Sequence, residues 1–222
     1  MNLAQSLHNI SYCSELLAYL ATIFFYTKRK NVVSSILLLL MSMIFITETL
    51  GKFKSFFPSY GNIFLVQNIE MLIEIFLFLL VYFFSVKAWF VRKLILAMIV
   101  VYCVVAVCSV LIWQPLSQVF PTYSLVTGGL FILVTIQLYF YEGIKNMQEQ
   151  SFYKSYLFYI SIGLFIFYAN EIPVMTLLNY FLQNNTGVDK IAFIFNLKLI
   201  VSIIFYSLYS FGILWTTKKS YS

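Results

Sequence analysis

Residues 94–113, LILAMIVVYCVVAVCSVLIW, run from Leu94 to Trp113 without a single charge. As a helix rising about 1.5 Å per residue, such a run spans about 30 Å, the thickness of the hydrocarbon core of a bilayer. A helix that is apolar on every side has no solvated face to offer and belongs in lipid or in the middle of a large core. Outward from this stretch, apolar runs of similar length recur in both directions, predicting helices near 9–27, 32–50, 62–85, 94–113, 123–142, 155–182 and 191–215. The breaks fall at Lys28-Arg29-Lys30, at the segment from Gly51 to Gly61 around Pro58, at Lys87 to Lys93, at Gln114 to Pro121, at Gly143 to Lys154 and at Gln183 to Lys190. Composition agrees, with 62% hydrophobic and only 10% charged residues. The expected fold class is an all-α polytopic membrane protein, one seven-transmembrane-helix domain over residues 1–222, with no loop long enough to fold by itself.

Positive charge sets the expected orientation. With the N-terminus outside and the C-terminus inside, the cytoplasmic side receives Lys28, Arg29, Lys30, Lys87, Arg92, Lys93, Lys145, Lys154, Lys218 and Lys219, and the outer side only Lys52, Lys54 and Lys190. The first segment has its basic cluster after the apolar run, so it reads as a retained helix rather than a cleaved signal. The net charge of +6 is accounted for by this topology and by anionic headgroups, and is no argument for nucleic acid. Helical closure of every backbone hydrogen bond argues against an outer-membrane barrel and for a plasma membrane, bacterial inner membrane, location. Trp89, Trp113 and Trp215 fall near segment ends, as an interfacial belt requires. Cys13, Cys103 and Cys108 read as small packing residues. His8, the lone histidine, is placed before the first helix and excludes a multi-histidine zinc site. Neither metal nor cofactor is expected.

The informative residues are the charges inside apolar segments, which are costly at depth unless a partner, water or proton meets them. From the segment ends, Glu15 lies about 9 Å in from the outer boundary, Glu70 about 12 Å, Glu74 about 18 Å, Lys198 about 10 Å and Glu171 about 16 Å, with Glu48 near the edge. Glu142 and Glu149 lie at the opposite boundary among lysines and read as a solvated face. In the third segment Gln67, Glu70 and Glu74 fall within about 60° of arc, flanked by Asn68, so one face of this helix must avoid lipid. Carboxylates at i and i+4 repel, and the pair is expected to share a proton or a bound cation. In the sixth, Pro173 cannot donate to the carbonyl of Ala169, which predicts a kink beside Asn170 and Glu171. In the seventh, Lys198, Ser202 and Tyr209 share one face and Asn196 lies nearly opposite; Glu70 or Glu74 is the expected partner of Lys198. The candidate ligand-binding set is therefore Glu15, Glu48, Gln67, Asn68, Glu70, Glu74, Asn170, Glu171, Asn196 and Lys198.

An acidic residue ending the second helix (Glu48), an Asn-rich start to the third followed by Glu (Asn62, Asn68, Glu70, Glu74) and Asn196 in the seventh resemble a family of short, uncharacterised bacterial seven-helix proteins. That resemblance covers the whole chain and implies a sensory membrane module, with a histidine kinase as cytoplasmic partner. Two further likenesses are architectural. A lysine in the last helix of an N-out bundle is similar to microbial rhodopsins, but Lys198 lies nearer the outer end than their retinal-bearing lysine and the third helix lacks their Arg and Asp pattern. Asn68-Ile69-Glu70 against Asn196-Leu197-Lys198, with Glu15 and Glu48 against Gln137 and Glu171, resembles the 3+1+3 repeat of SWEET-like transporters, although no Pro-Gln dipeptide is present. The leading expectation is a receptor or sensor binding a small polar or cationic ligand, or protons, in an outward-facing acidic cavity. A proton- or cation-coupled transporter is the alternative. An intramembrane enzyme is less favoured, since no metal-ligand set, histidine base or Gly-framed nucleophile is evident.

Overall fold

The computed structural model describes residues 3–53, 63–113, 121–146, 152–183 and 188–219. Seven long helices account for almost all of them: α1 (Leu3–Lys28), α2 (Val32–Lys52), α3 (Ile63–Ser85), α4 (Trp89–Cys108, continued by a π-helical turn over Ser109–Trp113), α5 (Thr122–Asn146), α6 (Tyr156–Gln183) and α7 (Val188–Lys219). Each is long and apolar enough to cross a membrane, and the chain is an integral membrane protein with an all-α seven-helix bundle. Asn62, at the start of the expected third segment, and Glu149 lie outside the described residues.

The helices outrun their apolar stretches wherever polar residues find partners at the ends. α1 begins at Leu3 rather than near residue 9, because its first turns, though polar, are held: Asn9 accepts from Lys52 Nζ at 3.2 Å, and Lys52 lies 4.0 Å from the ring centre of Tyr12. His8 is thus inside the helix, not before it. α4 begins at Trp89 because Arg92 and Lys93 lay their charges over the rings of Phe83 and Trp89, at 4.5 and 3.7 Å. α2 starts at a reciprocal cap, in which Asn31 Oδ1 accepts from the Ser34 N–H and Ser34 Oγ from the Asn31 N–H.

Six helices close a ring in the order α1, α2, α3, α5, α6, α7 and back to α1, and α4 leans on the outside against α3 and α5. α4 is pinned there by Tyr102, whose hydroxyl donates to the Leu72 carbonyl of α3 at 2.9 Å. Because successive helices run in opposite directions, α7 lies parallel to its neighbour α1, and excluding α4 adds a second parallel contact between α3 and α5. The tightest seam joins α6 to α7. Glycine makes it possible: a Cβ on Gly212 would stand 2.7 Å from Tyr159 Cβ and 3.1 Å from the Tyr156 carbonyl oxygen, and one on Gly163 would stand 3.0 Å from the Phe205 ring.

Glu142 departs from the sequence expectation. It is 8% exposed, and Oε1 accepts the backbone N–H groups of Lys87 and Ala88 at 2.7 and 3.0 Å. Ala88 precedes α4 and has no side-chain cap of its own, so a carboxylate from α5 caps α4 across the bundle. Cys13 and Cys103 are exposed on the perimeter and are not core packing residues.

Candidate functional site

α1, α2, α3, α5, α6 and α7 all contribute to one cavity of about 310 Å³, and α4 contributes nothing to its described wall. It lies toward the end of the bundle where α1 begins and α2 ends, and the exposed His8 marks its rim. The polar stripe of α3 and the gathering of the charges toward one end are realised here, although from the observed start of α1 Glu15 lies about 18 Å in rather than 9. Glu15 from α1, Glu48 from α2, Glu70 and Glu74 from α3 and Glu171 from α6 all reach the wall, joined by Lys198 of α7. Gln67 and Asn68 line it as well, Asn68 only 1% exposed. Between these groups the wall is apolar, with Met71, Met175, Phe195 and Leu199.

The ammonium of Lys198 meets Glu171 at 2.8 Å, and not Glu70 or Glu74 as the sequence suggested. Depth and helical face are right for all three, but α7 is the ring neighbour of α6, while α3 stands across the cavity. Measured from the observed helix ends, Glu171 and Lys198 sit about 18 and 15 Å in, level enough to pair. The Glu171 side chain is 6% exposed and that of Lys198 32%, so the pair is half cavity wall and half core.

Two other carboxylates have partial partners. Tyr168 Oη donates to Glu74 Oε1 at 3.3 Å, and Ser11 Oγ donates to Glu15 Oε1 at 3.0 Å. Glu15 Oε2 has no hydrogen-bond donor although the residue is only 6% exposed. Glu70 feels the charges of Glu74, Glu48 and Glu15 as well as that of Lys198. Among the described residues, no three His, Cys, Asp or Glu side chains cluster closely enough to hold a metal ion. The acid is spread around a void rather than gathered at a point.

Asn170 and Asn196 do not line the cavity. Asn170 Nδ2 turns back to its own helix and donates to the Ile166 carbonyl at 2.8 Å. Pro173 is exposed, and α6 stays helical through it. His8 joins the site because α1 starts at Leu3 rather than near residue 9, and its spacing of seven residues from Glu15 then places both on one helical face.

Compared with family models, with curated proteins and with solved structures, the chain matches none.

The cavity ends on aromatic packing. Its deepest wall residue on α7 is Tyr206 and on α3 Glu74. Phe205, level with Tyr206, meets Phe78 of the next turn of α3 edge to face at 6.2 Å, and a turn further on lie Tyr82 and Tyr209, all at most 1% exposed. The hydroxyls here bond each other in pairs, Tyr82 with Ser161 at 2.7 Å and Thr22 to Tyr209 at 3.1 Å. Gln137, an inner-half polar candidate, is exposed on the perimeter instead.

Proposed function

We propose that the protein is a receptor or sensor module that takes a small polar or cationic ligand, or protons, into this acidic cavity and passes the event to a cytoplasmic partner such as a histidine kinase. The observation that carries the reading is a cavity walled by five carboxylates and one paired lysine that stops at a fully packed aromatic floor. A site that, among the described residues, opens at one end and is packed at the other suits binding better than passage. The excess of lysine and arginine at the ends of the helices away from the cavity supports an N-out, C-in placement in a bacterial inner membrane, so that the cavity faces outward. The resemblance to short bacterial seven-helix proteins supports a kinase as the partner. α6 and α7, joined by the Lys198–Glu171 pair at the cavity wall, are the elements best placed to carry the signal. Purification from native membranes under mild crosslinking is expected to recover a signalling protein with the chain; repeated recovery of the chain alone would end the reading.

One observation favours transport as the second reading. With α4 outside, α1–α3 and α5–α7 form two three-helix halves around a shared cavity, the plan of a 3+1+3 transporter. Such halves would have to rock apart at the aromatic floor. In liposomes loaded with a pH-sensitive dye, a coupled transporter moves protons with its substrate and loses this in Glu74→Gln.

A further inference from the structure

The cavity wall describes its occupant by charge, spread and size. A single ammonium stands against five carboxylates, and it is already held by Glu171. No uncommitted ammonium or guanidinium therefore remains on the described wall to receive an anion or the carboxylate of a zwitterion, and His8 stands at the rim, away from Glu74 and Tyr206 at the floor. The opposite need is seen at Glu15, a residue of the cavity wall in which one carboxylate oxygen is buried without a donor. The acid is also dispersed, with Glu15, Glu48, Glu70 and Glu74 coming from three helices and no three of them close enough to share a metal ion. Dispersed negative charge is matched by positive charge at more than one point of a ligand. The volume of about 310 Å³ leaves room for a small molecule with a short chain. Met71, Met175, Phe195 and Leu199 between the carboxylates offer the surface that methylene groups require.

On the reading of the cavity as a receptor site, we infer that its ligand is a short aliphatic diamine, bound as the diammonium ion between the carboxylates of α1, α2 and α3 with its methylenes on the Met and Phe wall. One ammonium supplies the donor that Glu15 Oε2 lacks, and the other reaches the Glu70 side of the cavity. Lys198 keeps Glu171 occupied and so directs the ligand toward the opposite wall.

The test is isothermal titration calorimetry on the full chain in nanodiscs, near neutral pH and at fixed ionic strength, with putrescine, n-butylamine, potassium chloride and alanine as probes. Putrescine is expected to bind at least about tenfold tighter than n-butylamine, with potassium and alanine weaker still. Glu15→Gln combined with Glu70→Gln is expected to weaken putrescine about tenfold and to narrow its advantage over n-butylamine, while Val104→Ala on the exposed face of α4 leaves both unchanged. Equal affinity for putrescine and n-butylamine would overturn the diamine, as would heat with alanine alone. The probe comparison in the unaltered protein decides the matter even if the double variant fails to fold. Binding of alanine in place of amines would leave the receptor reading standing, whereas that reading falls on the partner-recovery experiment and not on the identity of the ligand.

Discussion

Glu142 and Glu15 are both buried glutamates on transmembrane helices, and the bundle treats them differently. Glu142 sits where α3 turns into α4, and one of its oxygens takes two backbone N–H groups that otherwise end a helix unsatisfied, while its other oxygen is buried without a donor. Glu15 sits at a void and receives one serine hydroxyl, leaving its second oxygen without a donor in a residue that is 94% buried. Around Glu142 the half-bundle is packed with rings, Tyr139 tilted against Phe152 at 5.5 Å and Tyr82 edge to face with Tyr139 at 5.6 Å. Around Glu15 there is a cavity and four more carboxylates. The difference between the two is therefore the surroundings: Glu142 completes a helix end inside packed rings, whereas Glu15 borders a void that other carboxylates share. The second arrangement persists in proteins where function opposes stability.

The contrast breaks first, and most severely, in the packed half. At Gly212 even a Cβ meets the Tyr156 backbone, so Gly212→Val must drive α6 and α7 apart and is expected to destabilise the bundle by about 3 kcal/mol. Thermal unfolding in detergent checks it, and an unchanged midpoint would mean the seam is looser than drawn. Next is the cap. Glu142→Ala strands the N–H groups of Lys87 and Ala88 and is expected to lower stability by about 2 kcal/mol, with Glu142→Gln in between because an amide oxygen still accepts. Hydrogen exchange at the start of α4 should rise selectively in the alanine variant.

The Lys198–Glu171 pair lies on the boundary between the two halves, and its effect is expected to be intermediate. Lys198→Met leaves Glu171 uncompensated, whereas Lys198→Met with Glu171→Gln removes both charges, so the double variant is expected to be more stable than the single one by about 1 kcal/mol. Lys198 is a third accessible, which holds the figure below that of a fully buried pair. Additive effects would show that the two charges do not communicate. Substituting Glu70→Gln in place of Glu171→Gln should give little recovery, because α3 faces α7 only across the void.

That last distinction marks the limit of what the sequence could say. Lipid demands long apolar runs and internal backbone bonding, so all seven helices could be read directly from runs such as 94–113. Period and charge placed Gln67, Glu70 and Glu74 on one face, and depth placed Glu15, Glu171 and Lys198 in the same half. What face and depth do not contain is the order of helices around the ring. The partner of Lys198 depends on α6 being its neighbour and α4 being excluded, and those follow from glycine contacts and ring packing that no local pattern encodes. Glu142 was misread for the same reason: its donors lie 55 and 54 residues away, and beside lysines it looked solvated. Asn170 looked like a site residue because polar side chains next to a proline invite that reading, but its amide found a carbonyl of its own helix.

The smallest expected effect is also the most diagnostic. If the cavity glutamates were structural glue, Glu70→Gln would destabilise, since a buried polar group that holds helices together loses part of its bonding. If they are kept for a ligand, removing one relieves the repulsion among Glu70, Glu74, Glu48 and Glu15, and the empty protein should gain up to about 1 kcal/mol or be unchanged. The sign of that change is therefore worth more than its size. A gain in thermal stability of Glu70→Gln alongside a loss for Glu142→Gln would separate the two halves by the direction of their response to the same chemical change. A loss at both positions would make the cavity carboxylates part of the scaffold, and the void between them an accident of packing.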